Sequence, residues 1–190
     1  MYFAWGEDKG YVVTRGEVID ETHGKYNAII KNADGSETTK TFASDYTDYK
    51  HCDVSTSAFT KYNSGDTLTK LSNEDDGCYL TENAMRMPTQ AECEELIANT
   101  TSAFTENYNG SGVNGMTFTS KTNGNSIFVP AVGAVSSGVL LSFGLSGVFW
   151  SSSLSSSSVG EAFSLFFSSG SLGVVNVIRF SGVPLRAVRP

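Results

Sequence analysis

The last 60 residues of this 190-residue chain lack most kinds of polar side chain. They contain no Lys, Asp, His, Gln, Thr, Tyr, Met or Cys, and serine takes 16 of the 60 positions. Their only charged residues are Glu161, Arg179, Arg186 and Arg189. So much serine and glycine is typical of low-complexity disorder, but the interleaved Phe, Trp, Val and Leu residues can bury surface. We therefore predict that this region is folded.

Basic residues and long apolar runs are also scarce. Thirteen Lys plus Arg against 20 Asp plus Glu give a formal charge of −7, so the chain offers no basic face to nucleic acid. No stretch reaches the roughly 18 apolar residues of a membrane span. We expect one domain over residues 1–190, with neither a nucleic-acid partner nor a membrane span. The N-terminus has no basic start followed by an apolar run, and we expect it to be trimmed from a longer protein.

Cysteine is rare, and its spacing excludes common frameworks. Cys52, Cys78 and Cys93 form an odd set without a CxxC pair, which indicates neither a zinc ribbon nor a disulfide scaffold. A bridge between Cys52 and Cys78 stays open for an exported protein, although core or free thiols are the simpler interpretation. The acidic run 74–76 could offer oxygen ligands to calcium. Its spacing is not that of an EF-hand, so we favour a solvated loop or pairing with Arg86, and expect no metal and no cofactor.

No constellation of residues predicts catalysis. His23 and His51 lie in polar sequence without a recognisable Ser or Cys nucleophile, so we expect both at the surface. Trp5 and Trp150 are better interpreted as core anchors than as stacking platforms for a ligand. We do not expect an enzyme.

Turn and capping signals predict an α+β domain with few helices and many irregular segments. Thr89-Gln90-Ala91-Glu92 is a capping box, which predicts a helix that ends at Asn99-Thr100. The helix should present an apolar stripe, formed by Ala91, Cys93, Leu96 and Ile97. An Asn-Gly turn at 122–125 predicts a hairpin of Met116–Lys121 and Ser126–Val129. The other predicted strands are Tyr11–Val13, Tyr26–Ile30, Val148–Ser153, Ala162–Phe167, Leu172–Ile178 and Leu185–Val188.

Four segments, in this order, carry a resemblance to a known fold. They are Tyr2-Phe3-Ala4-Trp5-Gly6-Glu7, residues 85–92, residues 112–130, and residues 149–154 with the terminal 186–190. They are similar to C-type-lectin-fold domains, which include the formylglycine-generating-enzyme-like group and the Fibrobacter-type major paralogous domain family. The resemblance implies a C-type-lectin-like fold of short mixed or antiparallel sheets with one or two helices. One departure is Cys93, where the family usually has Trp, and it reduces packing volume on the helix.

Within that family, the tail resembles the variable region of proteins diversified by retroelements. There an error-prone reverse transcriptase substitutes bases at template adenines, so Asn codons give Ser, Gly, Val, Leu, Phe, Ala, Ile, Pro or Arg, but never Lys, Met, Gln, Glu or Trp. The types missing from the tail are mostly those whose codons begin with adenine or centre on it. The resemblance therefore implies a diversified region over residues 131–190. Its varied positions would be Val139, Leu141, Ser142, Ser146, Val148, Ser155, Ser157, Val159, Gly160, Ser164, Phe166, Ser168, Ser171, Gly173, Val175, Asn176, Val177, Ser181 and Val183.

The same resemblance implies a scaffold and a binding role. Trp150, Ser151–Ser153, Gly170, Gly182 and Arg186 would be fixed. Varied positions must be exposed, because burying random side chains would cost up to ~5 kcal/mol at some sites. We therefore expect one exposed patch that binds a protein or another surface ligand. Family members are displayed on a cell surface or a virion, and a homo-oligomer stays open.

Two alternatives come from other classes of protein. The chain could be an adhesive or structural module of a cell envelope or a phage tail, with the tail as an invariant oligomer interface. It could also be a degenerate enzyme of the formylglycine-generating type. That enzyme branch uses cysteines in the C-terminal part of the domain, and none follows Cys93 here, which makes it the weakest alternative.

Overall fold

A computed structural model gives the fold as an α+β arrangement of short antiparallel sheets. It describes residues 1–7, 10, 25–31, 37–43, 49–53, 55–56, 58–81, 85–136 and 139–189. The strands pair as β1-β2, β3-β4, β5-β6-β7, β8-β9 and β10-β11-β12. The elements are β1 (Lys25–Lys31), β2 (Glu37–Ala43), β3 (Cys52–Asp53), β4 (Ala58–Phe59), α1 (Gly77–Thr81), α2 (Gln90–Asn99), β5 (Thr100–Thr105), β6 (Gly115–Ser120), β7 (Ser126–Pro130), β8 (Ala134–Ser136), β9 (Val139–Leu141), β10 (Ser146–Leu154), β11 (Glu161–Ser168) and β12 (Leu172–Ile178). The α+β class is confirmed.

Helix α2 begins and ends where its capping signals predict. The Thr89 hydroxyl accepts a hydrogen bond from the Glu92 backbone N–H, and the Glu92 carboxylate accepts one from the Thr89 backbone N–H at 2.8 Å. Cys93 is buried on the apolar stripe, and Leu96 and Ile97 pack against the same core cluster. The inclusion of Ala91 in the stripe is wrong, because this residue is exposed.

The predicted hairpin and most C-terminal strands are confirmed. Strands β6 and β7 pair with Met116 opposite Val129, and Gly124 makes the turn with a φ of +73°. Strands β10, β11 and β12 include the three predicted ranges, and β1 includes Tyr26–Ile30. The prediction at Tyr11–Val13 lies outside the described residues.

The predicted strand Leu185–Val188 is wrong. The end of the chain crosses several segments and pairs with each at single residues instead of lying along one partner. Val183 forms a bridge with Phe3, and Val188 forms one with Arg86. The carbonyl of Pro184 accepts a hydrogen bond from the Trp150 backbone N–H.

The sheet β10-β11-β12 lies between two apolar clusters. One cluster contains Trp5, Val148 and Trp150, and the other contains Phe149 and Phe167. Successive residues of β10 thus enter opposite clusters, as the side-chain alternation of a strand requires. A sheet covered on both faces carries nearly continuous apolar or small residues. In the part of the chain that the structure describes, no helix is long and apolar enough to cross a membrane.

Both tryptophans are core anchors, as predicted. Trp5 and Trp150 are fully buried. The indole N–H of Trp5 donates to the Ser151 carbonyl, and that of Trp150 donates to the Phe3 carbonyl, each at 2.8 Å. This exchange joins the start of the chain to the central sheet.

Candidate functional site

The predicted varied positions have three kinds of environment. Seven are exposed, namely Leu141, Ser142, Ser157, Val159, Ser171, Val175 and Asn176. Six are half-buried, namely Gly160, Phe166, Ser168, Gly173, Val177 and Ser181. Val139 lies in β9, and its side chain is not among those described. The remaining five are buried.

The expectation of exposure is wrong for those five, which are Ser146, Val148, Ser155, Ser164 and Val183. Val148 and Val183 belong to the apolar cluster around Trp5. Ser164 stands opposite Trp150 in the middle of the sheet and is 0% exposed. Ser146, Val148 and Ser164 are buried because both faces of the sheet are covered, so alternation along a strand leads from one core to the other and not to solvent. Ser155 lies just after β10, and Val183 lies beyond β12 in a bridge with Phe3.

The exposed positions lie mainly at opposite ends of the sheet. Ser157 and Val159 belong to the connection between β10 and β11, and the Asn176 amide donates to the Ser157 hydroxyl at 3.2 Å. Leu141 and Ser142 precede β10 at its other end. Strand β11 has 8 residues, so about 23 Å separates these ends at roughly 3.3 Å per residue. Most of the exposed varied positions therefore form two groups, and Val175 lies between them in β12, opposite Ser164.

The segment 141–145 carries the three most exposed large apolar side chains among the described residues of the C-terminal region. Leu141, Phe143 and Leu145 are 48%, 52% and 69% exposed. Ser142 and Gly144 turn the chain with φ values of +55° and +77°. The Asn114 amide donates to the Gly144 carbonyl at 3.0 Å, which fixes the loop to the rest of the molecule. Three large apolar side chains on a fixed turn are suited to contact a partner.

Phe143 and Leu145 are absent from the predicted positions. They alternate with Leu141 along the loop, and a strand-like alternation of large apolar residues is the signal that could have indicated them. Phe and Leu are also among the residue types that mutated Asn codons give, so residue type alone does not separate Phe143 and Leu145 from the predicted positions.

Arg179 is the other residue that the predictions missed. It is fully buried, with its guanidinium 4.4 Å from the Phe59 ring centroid and 5.0 Å from that of Trp5. It donates hydrogen bonds to the Tyr49 hydroxyl and to the carbonyls of Lys61, Tyr62 and Val159. A single cation among polar carbonyls and aromatic rings thus joins the end of β12 to the middle of the chain. One feature of the sequence could have indicated Arg179, because it is the only charged residue between Glu161 and Arg186.

The acidic run 74–76 forms internal contacts. Asp75 is buried and accepts hydrogen bonds from the Lys50 and Lys61 ammonium groups at 2.7 and 2.6 Å and from the Tyr62 hydroxyl at 2.7 Å. Burial would raise the pKa of Asp75, but these hydrogen bonds hold it below the usual carboxyl range. Asp76 is also buried and accepts from the backbone N–H of Cys78 at the start of α1.

Two sequence interpretations of this region are wrong. A solvated loop does not describe Asp75 and Asp76, which are buried because both satisfy donors inside the fold. Arg86 pairs instead with Glu92 at 2.6 Å, and the guanidinium holds the pKa of Glu92 at about 2. Within the described residues, no group of three or more His, Cys, Asp and Glu side chains is arranged to hold a metal ion.

The prediction that His51 lies at the surface is also wrong. It is 4% exposed and packs edge-on against the rings of Tyr49 and Tyr62. Burial lowers the pKa of His51 to about 4, although the Asp75 carboxylate lies 3.5 Å away. The imidazole is therefore neutral at pH 7. His23 lies outside the described residues.

The cysteines are thiols in this structure. Cys52 is half-buried, and Cys78 and Cys93 are buried. Burial raises the pKa of Cys93 to about 12, so this thiol stays protonated and is a poor nucleophile at neutral pH.

Comparisons with models of protein families, with curated proteins and with solved structures find no match to this chain. Its function therefore has to be inferred from its own residues and their arrangement.

Proposed function

We propose that this chain is a binding protein with a C-type-lectin-like fold, whose exposed C-terminal positions are diversified by retroelement-directed mutagenesis at adenines. Its partner is a protein or another ligand on a surface, and the role is binding and not catalysis. The observation that carries the proposal is the exposure of apolar side chains in the 141–145 loop, within a region whose residue types fit mutated Asn codons.

Contacts among the segments that carry the resemblance support the proposed fold. The Ser152 backbone N–H donates to the Pro88 carbonyl at 2.7 Å, and the Gln90 N–H donates to the Ser153 hydroxyl at 3.0 Å. Arg86 forms a backbone bridge with Val188. Together with the Trp5 and Trp150 hydrogen bonds, these contacts unite segments up to 147 residues apart along the chain. Three of the four resembling segments therefore meet at one place.

The distribution of exposed residues supports the binding role. Leu141 and Ser142 lie at one end of the sheet, whereas Ser157, Val159 and Asn176 lie at the other. Loops on a rigid scaffold are common places for binding residues. Replacement of an exposed side chain there changes the contact surface and leaves the two cores intact. We therefore narrow the directly varied contact set to the seven exposed positions.

A second candidate is an adhesive or structural module that never varies. The burial of Ser146, Val148, Ser155, Ser164 and Val183 favours it, because a fixed core would hold such residues. In that case the apolar 141–145 loop would contact another copy of the chain or a neighbouring subunit.

Sequencing the genomic neighbourhood of the gene separates the two candidates. We expect a near-copy of the 3′ end beside a reverse transcriptase gene, with adenines at the codons for Leu141, Ser157, Val159 and Val175. The codon for Trp150 should be identical in both copies. A neighbourhood without such a repeat, together with an invariant 3′ end across a population, would contradict diversification and leave the fixed module.

A further inference from the structure

A cavity of about 360 Å³ lies between helix α2 and the central sheet. Its floor is formed by side chains that are at most 6% exposed, namely Cys93, Val129, Phe149, Trp150 and Leu165. Protein interiors rarely leave voids larger than a water molecule, and ligand pockets typically begin near 300 Å³. The small Cys93 side chain, on the face of α2 that meets the sheet, leaves part of this space unfilled.

The rim of the cavity carries one cation that is available to a ligand. Among the described residues that line it, Glu92 and Arg186 are the charged ones. The Glu92 carboxylate is already held by the Arg86 guanidinium at 2.6 Å and by the Thr89 backbone N–H. Arg186 is exposed and forms no ion pair with any residue that the structure describes. The cavity thus combines an apolar floor with an unpaired guanidinium at its edge.

We propose that this cavity binds a small monocarboxylate with an aromatic or branched apolar body. The body lies against Phe149, Leu165 and the Cys93 side chain, and the carboxylate pairs with the Arg186 guanidinium, which binds carboxylates with two parallel hydrogen bonds. The neutral Cys93 thiol does not repel the anion. The proposal depends on neither candidate function. A neighbouring cavity, which Phe143 of the 141–145 loop helps to line, shares Phe149 and Arg186 with this site.

Titration with 3-phenylpropionate and its neutral amide, 3-phenylpropionamide, tests the proposal by calorimetry. We expect the purified chain to bind the carboxylate at least about tenfold more tightly than the amide, since charge-assisted hydrogen bonds are the stronger ones. Arg186→Gln should remove that preference and leave the amide affinity unchanged. Arg189→Gln is the matched control, because Arg189 is exposed and lies outside the lining, and it should keep the preference.

Two variants test whether the ligand occupies this cavity. Cys93→Phe places a ring in the floor and should abolish binding of both compounds. Ile127→Trp narrows the rim and should weaken the binding of both compounds at least about tenfold. Because Ile127 is 47% exposed, this variant should fold and keeps the test informative if Cys93→Phe does not. Three results would overturn the proposal. They are the absence of binding by the unmodified chain, equal affinity for the two compounds, and undiminished binding by a folded Cys93→Phe or Ile127→Trp variant.

Discussion

The serines of strands β10 and β11 are buried or half-buried, whereas most serines of the loops that join the strands of the C-terminal sheet are exposed. Ser151, Ser152 and Ser164 lie in strands and are buried, whereas Ser142 and Ser157 lie in loops and are exposed. The buried serines are small enough to fit between two covered faces. Composition alone therefore does not indicate which residues are exposed. The position of each residue in the sheet or in a loop decides whether a partner can reach it.

Removal of Arg179 should destabilise the protein most, because this residue ties the sheet to the middle of the chain. Arg179→Met leaves the Lys61, Tyr62 and Val159 carbonyls without their donor, and we expect a loss of about 4 kcal/mol in the free energy of unfolding. Chemical denaturation measures it. Arg189→Met, at an exposed arginine of the same region, should stay within about 0.5 kcal/mol. Equal losses for the two variants would mean that the buried cation does not unite these regions.

Replacement of a buried valine by asparagine should lower the free energy of unfolding far more than the same replacement at an exposed valine of the same sheet. Val148 is 9% exposed and Val175 is 36% exposed. Val148→Asn buries an amide in an apolar cluster, with an expected cost of about 3 kcal/mol, whereas Val175→Asn should cost less than about 1 kcal/mol. Thermal and urea denaturation of the pair check this. A cost for Val175→Asn that matched Val148→Asn would place both positions in the scaffold.

Lowering the pH should reduce the free energy of unfolding through His51, which lies outside the C-terminal sheet and its loops. Its folded pKa of about 4 lies below the unfolded value of 6.5, so the unfolded state binds more protons between these pH values. Stability should therefore fall by about 2 to 3 kcal/mol as the pH falls from 7 to 4.5. Asp75, Lys50, Arg179 and the Tyr49 ring face this imidazole.

The control for that prediction is His51→Gln, which cannot titrate in this range. Its unfolding free energy should vary much less between pH 7 and pH 4.5 when followed by urea denaturation. A pH dependence identical to that of the unmodified chain would show that His51 is not the responsible group.

Two buried serines should respond in opposite directions to removal of their hydroxyls. The Ser151 hydroxyl donates to the Phe163 carbonyl at 2.8 Å, so Ser151→Ala should cost about 1 kcal/mol. The Ser164 hydroxyl is buried without a hydrogen-bond partner among the described residues, so Ser164→Ala should be neutral or should stabilise by up to about 1 kcal/mol. Melting temperatures of the two variants give the sign. Destabilisation by both would mean that Ser164 has a partner.

Local signals predicted the elements whose stability is local. The capping box of α2 and the Asn-Gly turn of the β6-β7 hairpin each lie within a few residues, and both formed as expected. Strand β5 was not predicted because it follows α2 directly, without a turn residue between them. Its sequence, Thr100 to Thr105, also lacks clear alternation of apolar and polar residues.

Long-range contacts were beyond prediction from the sequence. His51 and Asp75 occur in polar sequence, and their burial depends on aromatic and lysine side chains from several separate segments. Arg179 is buried partly by Lys61 and Tyr62, which lie 117 or more positions away along the chain. The burial of Val148 and Ser164 required knowing that both faces of the sheet are covered, which a strand sequence of small and apolar residues does not specify.

Two matched libraries test the division between scaffold and surface most directly. One randomises Ser142, Ser157, Val159, Val175 and Asn176, and the other randomises Ser146, Val148, Ser155, Ser164 and Val183, both with the residues that substituted Asn codons give. Protease resistance on a display system reports the folded fraction. We expect most members of the exposed library to fold and at least about tenfold fewer members of the buried library to do so. Equal folded fractions would contradict a C-terminal surface that can be varied without disturbing its scaffold.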